Sequence, residues 1–168
     1  MGARPLATVA LVTRDGFVIR PMTSADAHAI AAWRYPGVYA FYDAEADPDD
    51  LAQLLDPAGW GTRYFAADGD DELVGHFVFK LAEDGVAEIG VGLRPDLTGR
   101  GLGGAFLNAG LRYAAQALGA TSFVLAVAAF NDRAIAVYER AGFAETERYE
   151  HACNGGRHDF IRMTRGPL

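Results

Sequence analysis

The chain has 168 residues, which at ~100–200 residues per domain makes one domain, long enough to bury a core without a metal or disulfide staple. Hydrophobic residues at 51% and charged residues at 22% exclude a disordered chain. The formal charge of -7, from 22 acidic and 15 basic side chains, argues against a nucleic-acid partner, since such binders carry a basic excess.

Residues 1–14 read as an extension or an extra edge strand, and 15–168 as the single domain. The first firm element is a short strand over 17–20. Thr23-Ser24-Ala25-Asp26 then starts a helix, because Thr23 or Ser24 offers a hydroxyl to the orphan amides of a first turn. It runs to about Trp33, Pro36 and Gly37 break it, and a second short helix follows around 48–54. Strands over 63–67, 73–81 and 86–93 come next, the last two joined at Asp84-Gly85.

A helix over 103–118 carries the apolar stripe Leu107, Leu111, Ala114 and Leu118, and Gly119 closes it where a left-handed cap is wanted. Residues 123–129 are apolar almost throughout, as in a strand buried on both faces. A helix from Asn131 to Ala141 stops at Gly142. Two closing strands, 143–152 and 157–164, flank an Asn154-Gly155-Gly156 turn. This order predicts a mixed α+β domain in which one crossover makes two neighbouring strands parallel.

One cysteine, Cys153, excludes a disulfide framework and a multi-cysteine zinc site, and of the four histidines, His151 and His158 in the last two strands have no partner at metal-ligand spacing. No metal centre is expected. No apolar run approaches the ~20 residues that span a bilayer, and residues 6–12 are too short for a signal segment. The chain reads as soluble and cytoplasmic, without a membrane partner.

The chemistry begins in Arg94-Pro95-Asp96-Leu97-Thr98-Gly99-Arg100-Gly101-Leu102-Gly103-Gly104. Glycines at 99, 101, 103 and 104 strip side chains from a strand-to-helix turn. Its bare amides and the helix dipole make a seat for a phosphate or pyrophosphate, to which Arg100 adds charge. The plain alternative is a tight turn whose glycines only relieve strain. Gly99-x-Gly101-x-x-Gly104 also matches the dinucleotide fingerprint, but no acid follows ~20 residues on, and no Gly-Lys-Ser/Thr marks a triphosphate loop. A nucleotide-binding redox domain is the weaker reading.

The segment Val91-Gly92-Leu93-Arg94-Pro95, then Thr98-x-x-Gly101-x-Gly103, then Asn131-Asp132-Arg133 through Tyr138 to Gly142-Phe143 resembles the GNAT superfamily of acyl-CoA N-acyltransferases over roughly 17–164. The last stretch is similar to the ribosomal-protein N-terminal alanine acetyltransferases. The family's pyrophosphate motif opens on Gln or Arg, where this chain has Thr98. The resemblance implies a mixed sheet splayed between the strands at 86–93 and 122–129, with flanking helices. Acetyl-CoA would enter there, its pantetheine arm pairing with Val91, Gly92 and Leu93, its pyrophosphate held by Thr98, Gly99, Arg100, Gly101, Leu102, Gly103 and Gly104, with Asn131 also touching it.

The resemblance makes Tyr138 the acid that protonates the departing sulfur. Seven residues after Asn131, nearly two turns, it faces the same side of the helix. Alternation sets Glu88, Gly90 and Gly92 on one strand face against Ala87, Ile89, Val91 and Leu93 on the other, and Glu88 is the candidate base. Unlike the alanine-acetylating branch, the chain has Ala126, not Glu, five residues before Asn131. The resemblance places Trp33, Tyr35 and Tyr39 at the acceptor side. Ten carboxylates and one arginine between 43 and 72 leave -9 there against -7 for the whole chain. The expected acceptor is a primary amine, of a small molecule or a protein N-terminus, attacking acetyl-CoA directly in a ternary complex; the acidic run either selects a cationic amine or only keeps the chain soluble. The runner-up within the fold is a non-catalytic acyl-CoA-binding sensor. The oligomeric state stays open, a homodimer included.

Overall fold

The computed structural model describes residues 10–12 and 14–168, so most of the predicted N-terminal extension lies outside the described residues. Eight strands form one sheet in the order β1-β2-β3-β4-β5-β6-β8-β7. They are β1 (Leu11–Val12), β2 (Phe17–Pro21), β3 (Tyr64–Gly69), β4 (Glu72–Leu81), β5 (Val86–Leu93), β6 (Ser122–Ala128), β7 (Ala144–Cys153) and β8 (Gly156–Arg165). All neighbours are antiparallel except β5 and β6, and the two-residue β1 lies at the sheet edge against β2. The helices are α1 (Ser24–Ala31), α2 (Pro48–Leu54), α3 (Gly103–Leu118) and α4 (Asp132–Arg140).

The start and stop signals hold. Thr23 caps α1 in a reciprocal box with Asp26, Gly119 closes α3 at φ +78°, and Asn131 caps α4 by accepting from the Ala134 N–H. Asn154 and Gly155, both at positive φ, make the two-residue turn between β7 and β8. Helix α1 ends at Ala31, two residues before Trp33, and the stretch to α2 holds short 3₁₀ turns over Gly37–Tyr42 and Ala44–Ala46 that have no periodic signature.

Alternation in β4 and β5 divides two apolar layers. Phe77, Phe79, Ala87 and Ile89 pack on Phe106, Leu107, Leu111 and Tyr113 of α3 in the main core. A second, smaller core joins α1 and α2 through Met22, Ala27, Ile30, Leu54 and Trp60. Arg20 ties α1 to the sheet. Its guanidinium reaches Asp26 at 2.6 and 3.0 Å and Asp68 at 2.7 and 3.1 Å.

Burial alone would raise the pKa of Asp26, but hydrogen bonds from Arg20 and Thr23 outweigh it and hold the carboxyl below its ordinary range. A depressed folded pKa stabilises above the unfolded value and is lost as pH falls through the folded one. Asp26→Asn should therefore cost about 1–3 kcal/mol at pH 7. Urea unfolding at pH 7 and again below pH ~3 checks this, the gap to the wild type narrowing in acid as the carboxyl protonates.

Candidate active site

Strands β5 and β6 pair at Val86↔Ser122, Ala87↔Phe123 and Glu88↔Val124, and then part. Strand β5 stays paired with β4 to Leu93, and β6 stays paired with β8 to Ala128, so the sheet splits between two intact halves. Its ladder with β4 uses the even residues of β5, since Arg94 N–H donates to Val74 C=O (2.7 Å) and Ala82 N–H to Val86 C=O (2.9 Å). The odd residues therefore turn their backbone groups to the gap. Val91 N–H and C=O and Leu93 N–H face it, whereas Leu93 C=O accepts the Tyr35 hydroxyl at 2.7 Å. Gly92 was expected to pair with a ligand, but its backbone points to His76 on β4. Its role is spatial, because a Cβ there would stand 2.2 Å from His76 Nε2.

Two cavities meet at the split. The larger, about 640 Å³, runs from Gly90 through Val91 and Leu93 to the glycine turn and α4. Thr98, Gly99, Gly101, Gly103, Gly104, Asn131 and Tyr138 line it. Gly99 and Gly101 take φ of +72° and +77°, and no side chain caps α3, so its first-turn amides stay bare for an anion. The cradle fits a pyrophosphate. Arg100 and Leu102 are exposed and do not line the cavity. In their place stands Arg133, a residue the sequence reading did not single out, whose guanidinium lies 4.1 Å over the Tyr39 ring and beside Gly99. Tyr39, expected at the acceptor side, thus belongs to the larger cavity.

Tyr138 and Asn131 share one face of α4, as their spacing predicts. Burial, with neighbouring Tyr42, raises the Tyr138 pKa well above that of an ordinary phenol, so the hydroxyl keeps its proton. Asn131 Nδ2 donates to Tyr42 Oη (3.1 Å) while Oδ1 caps α4.

The smaller cavity, about 470 Å³, lies on the opposite sheet face beneath α1 and α2. Trp33 and Glu88 line it, and Tyr35, Tyr42, His76, Gly90 and Ala126 border both cavities. No register shift interrupts the β4–β5 pairing, so Glu88 keeps its predicted face, opposite Lys80. Of the ten acidic residues between 43 and 72, only Asp43, Asp47 and Asp50 reach this wall. Others are met by arginines outside that stretch, as in Arg34–Glu45, Arg20–Asp68 and Arg94–Glu72. Asp47 is engaged by the amides of Asp49, Asp50 and Asn154, and burial together with Asp47 and Asp49 raises the pKa of Asp50.

The family model for the acetyltransferase (GNAT) family matches residues 26–143. The chain belongs to this family. GNAT enzymes take their acetyl group from acetyl-CoA, and no group of three or more metal-ligating side chains occurs among the described residues. A mycothiol acetyltransferase of Streptomyces avermitilis is 37% identical over 122 residues, and one of Streptomyces coelicolor is 41% identical over the same length. Each alignment covers 71% of this chain but 38% of the relative, so the chain spans under two fifths of their length. Spermidine N-acetyltransferase from Vibrio cholerae, solved with CoA and spermine, shares the GNAT fold at TM-score 0.73 and 20% identity, over 92% of this chain and 97% of that one. A Bacillus anthracis acetyltransferase of the family superposes at 0.72 and 18% identity, over 92% and 97%. No helix among the described residues is long and apolar enough to cross a membrane.

Gly104 lines the larger cavity with open space around its missing Cβ. Gly104→Leu should leave the fold intact and raise the dissociation constant for CoA at least ~10-fold, or ~1.4 kcal/mol, by calorimetry.

Proposed function

We propose that this chain transfers the acetyl group of acetyl-CoA to a primary amine, the coenzyme held in the larger cavity and the amine presented from the smaller one. The observation that carries this reading is the meeting of the two cavities where β5 leaves β6, with a bare-amide cradle on one side and an acidic wall on the other. Acetyl-CoA supplies an activated carbonyl and a thiol leaving group. Residues 98–104 hold the pyrophosphate, with Arg133 taking the part first given to Arg100. Val91 C=O and Leu93 N–H hold the pantetheine arm, and Asn131 fixes the lip of α4.

Tyr138 keeps its proton at neutral pH and gives it to the departing sulfur. Glu88 draws the amine's surplus proton, directly or through water, from the acidic side. Trp33 and Tyr35 line the approach. Without an exchange of protons between these groups the same pocket would serve only as an acyl-CoA sensor, so release of free thiol during turnover separates the two readings.

Tyr138→Phe should lower kcat ~100- to 10,000-fold with little change in CoA affinity, measured where chemistry limits the rate. Near-native turnover would make Tyr138 a packing residue.

Asp43, Asp47, Asp50 and Glu88 outnumber Lys80 at the acceptor wall, which favours a cationic amine. The names of the relatives and structural neighbours put a mycothiol-type amine and a polyamine on the panel. Across matched acceptors of charge +2, 0 and -2, kcat/KM should favour the cation. Added salt should erode the preference, since ~0.15 M salt shortens the field to ~8 Å. A salt-insensitive preference for the neutral or anionic acceptor would remove these carboxylates from recognition.

A further inference from the structure

Of the side chains that border both cavities, His76 is the imidazole, and the mechanism above leaves it unused. It sits in β4 opposite Gly92, with its ring 6.0 Å from that of Trp33. Nδ1 is shut off from solvent and has no hydrogen-bond partner among the described residues. Nε2 keeps access to the cavity and stands over Gly92, the only residue type that leaves room for it there.

Two facts decide what such a ring offers. Burial pushes its pKa down to about 4, so it is neutral at physiological pH. Neither Glu88 and Lys80 on the same sheet face, nor Asp43, Tyr35 and Tyr42 on the covering segment, offsets that shift. A neutral imidazole carries one hydrogen. A bare N–H sealed away from water is costlier and rarer than a bare lone pair, so the hydrogen belongs on Nε2.

We propose that His76 donates its Nε2–H to the oxygen of the transferred acyl group, as a side-chain member of the oxyanion site alongside the free Val91 N–H. This rests on the acetyltransferase reading. In the step concerned, the amine nitrogen bonds to the carbonyl carbon and the carbonyl electron pair moves to oxygen, where His76 and Val91 meet the charge. The pair returns as the carbon–sulfur bond breaks. Sulfur takes the Tyr138 proton, and the amine's surplus proton leaves towards Glu88. A neutral donor suits the task, because an imidazolium would repel a cationic acceptor and surrender its proton too early.

The test has two arms. Two-bond ¹H–¹⁵N correlation spectra of the wild type should show His76 hydrogenated on Nε2, with no titration near 6.5, the ordinary histidine value. In kinetics, His76→Leu should lower kcat about 100- to 1,000-fold, and His76→Gln, which keeps an N–H at similar reach, should recover most of it. CoA affinity of both variants should stay within about threefold, and His76→Gln should keep the wild-type pH profile. Hydrogen on Nδ1, a leucine variant within about threefold of wild-type kcat, or loss of an acid limb in the glutamine variant would overturn the assignment. Failure of the wild type to turn over any amine would overturn the transferase reading itself, and the spectra would report separately on the ring.

Discussion

The site depends on one event in the sheet, the parting of β5 from β6 after the Glu88↔Val124 pair. A buried strand edge with unpaired N–H and C=O groups is costly, so a sheet that opens in this way must be held open from both sides. Here each lip is secured by its other neighbour, β5 by β4 and β6 by β8. The parting leaves Val91 with a free donor and acceptor. It also brings the bare amides of α3, the Tyr138 hydroxyl and the acidic side of the sheet to one opening.

Across that opening runs the segment from Tyr35 to Tyr42. It is fastened to β5 by the Tyr35 hydroxyl on Leu93 C=O and to α4 by Asn131 on Tyr42. The Arg133 guanidinium over Tyr39 adds a third attachment. Desolvation raises the pKa of Tyr35 and Tyr42, as it does that of Tyr138, so all three phenols at this point stay neutral. Charge at the centre of the site is thereby kept low, while carboxylates stand on one flank and arginines on the other.

Most of the framework was legible because it rests on local signals. Capping at Thr23 and Asn131, the left-handed glycine at 119, alternation through 86–93 and the glycines at 99–104 all act within a few residues. The site was read less completely, since what escaped depends on contacts distant in the chain. His76 looks like any polar residue in an alternating strand until its register with Gly92 is known. Tyr39 lies among acceptor-side aromatics in sequence but turns to Arg133 in space. The acidic run from 43 to 72 looked uniform because the arginines that answer Glu45, Asp68 and Glu72 lie elsewhere. The 3₁₀ turns between α1 and α2 repeat too few times to leave a pattern.

The apolar residues around α1 and α2 form a core of their own. Met22, Ala27, Ile30, Leu54 and Trp60 pack together apart from the large cluster that supports β5, β6 and α3. The two clusters share no buried residue, and Arg20 with its two carboxylates bridges helix α1 to the sheet between them. On the proposed reading, side chains on the acceptor side can therefore change without displacing any buried residue that packs behind the coenzyme cradle.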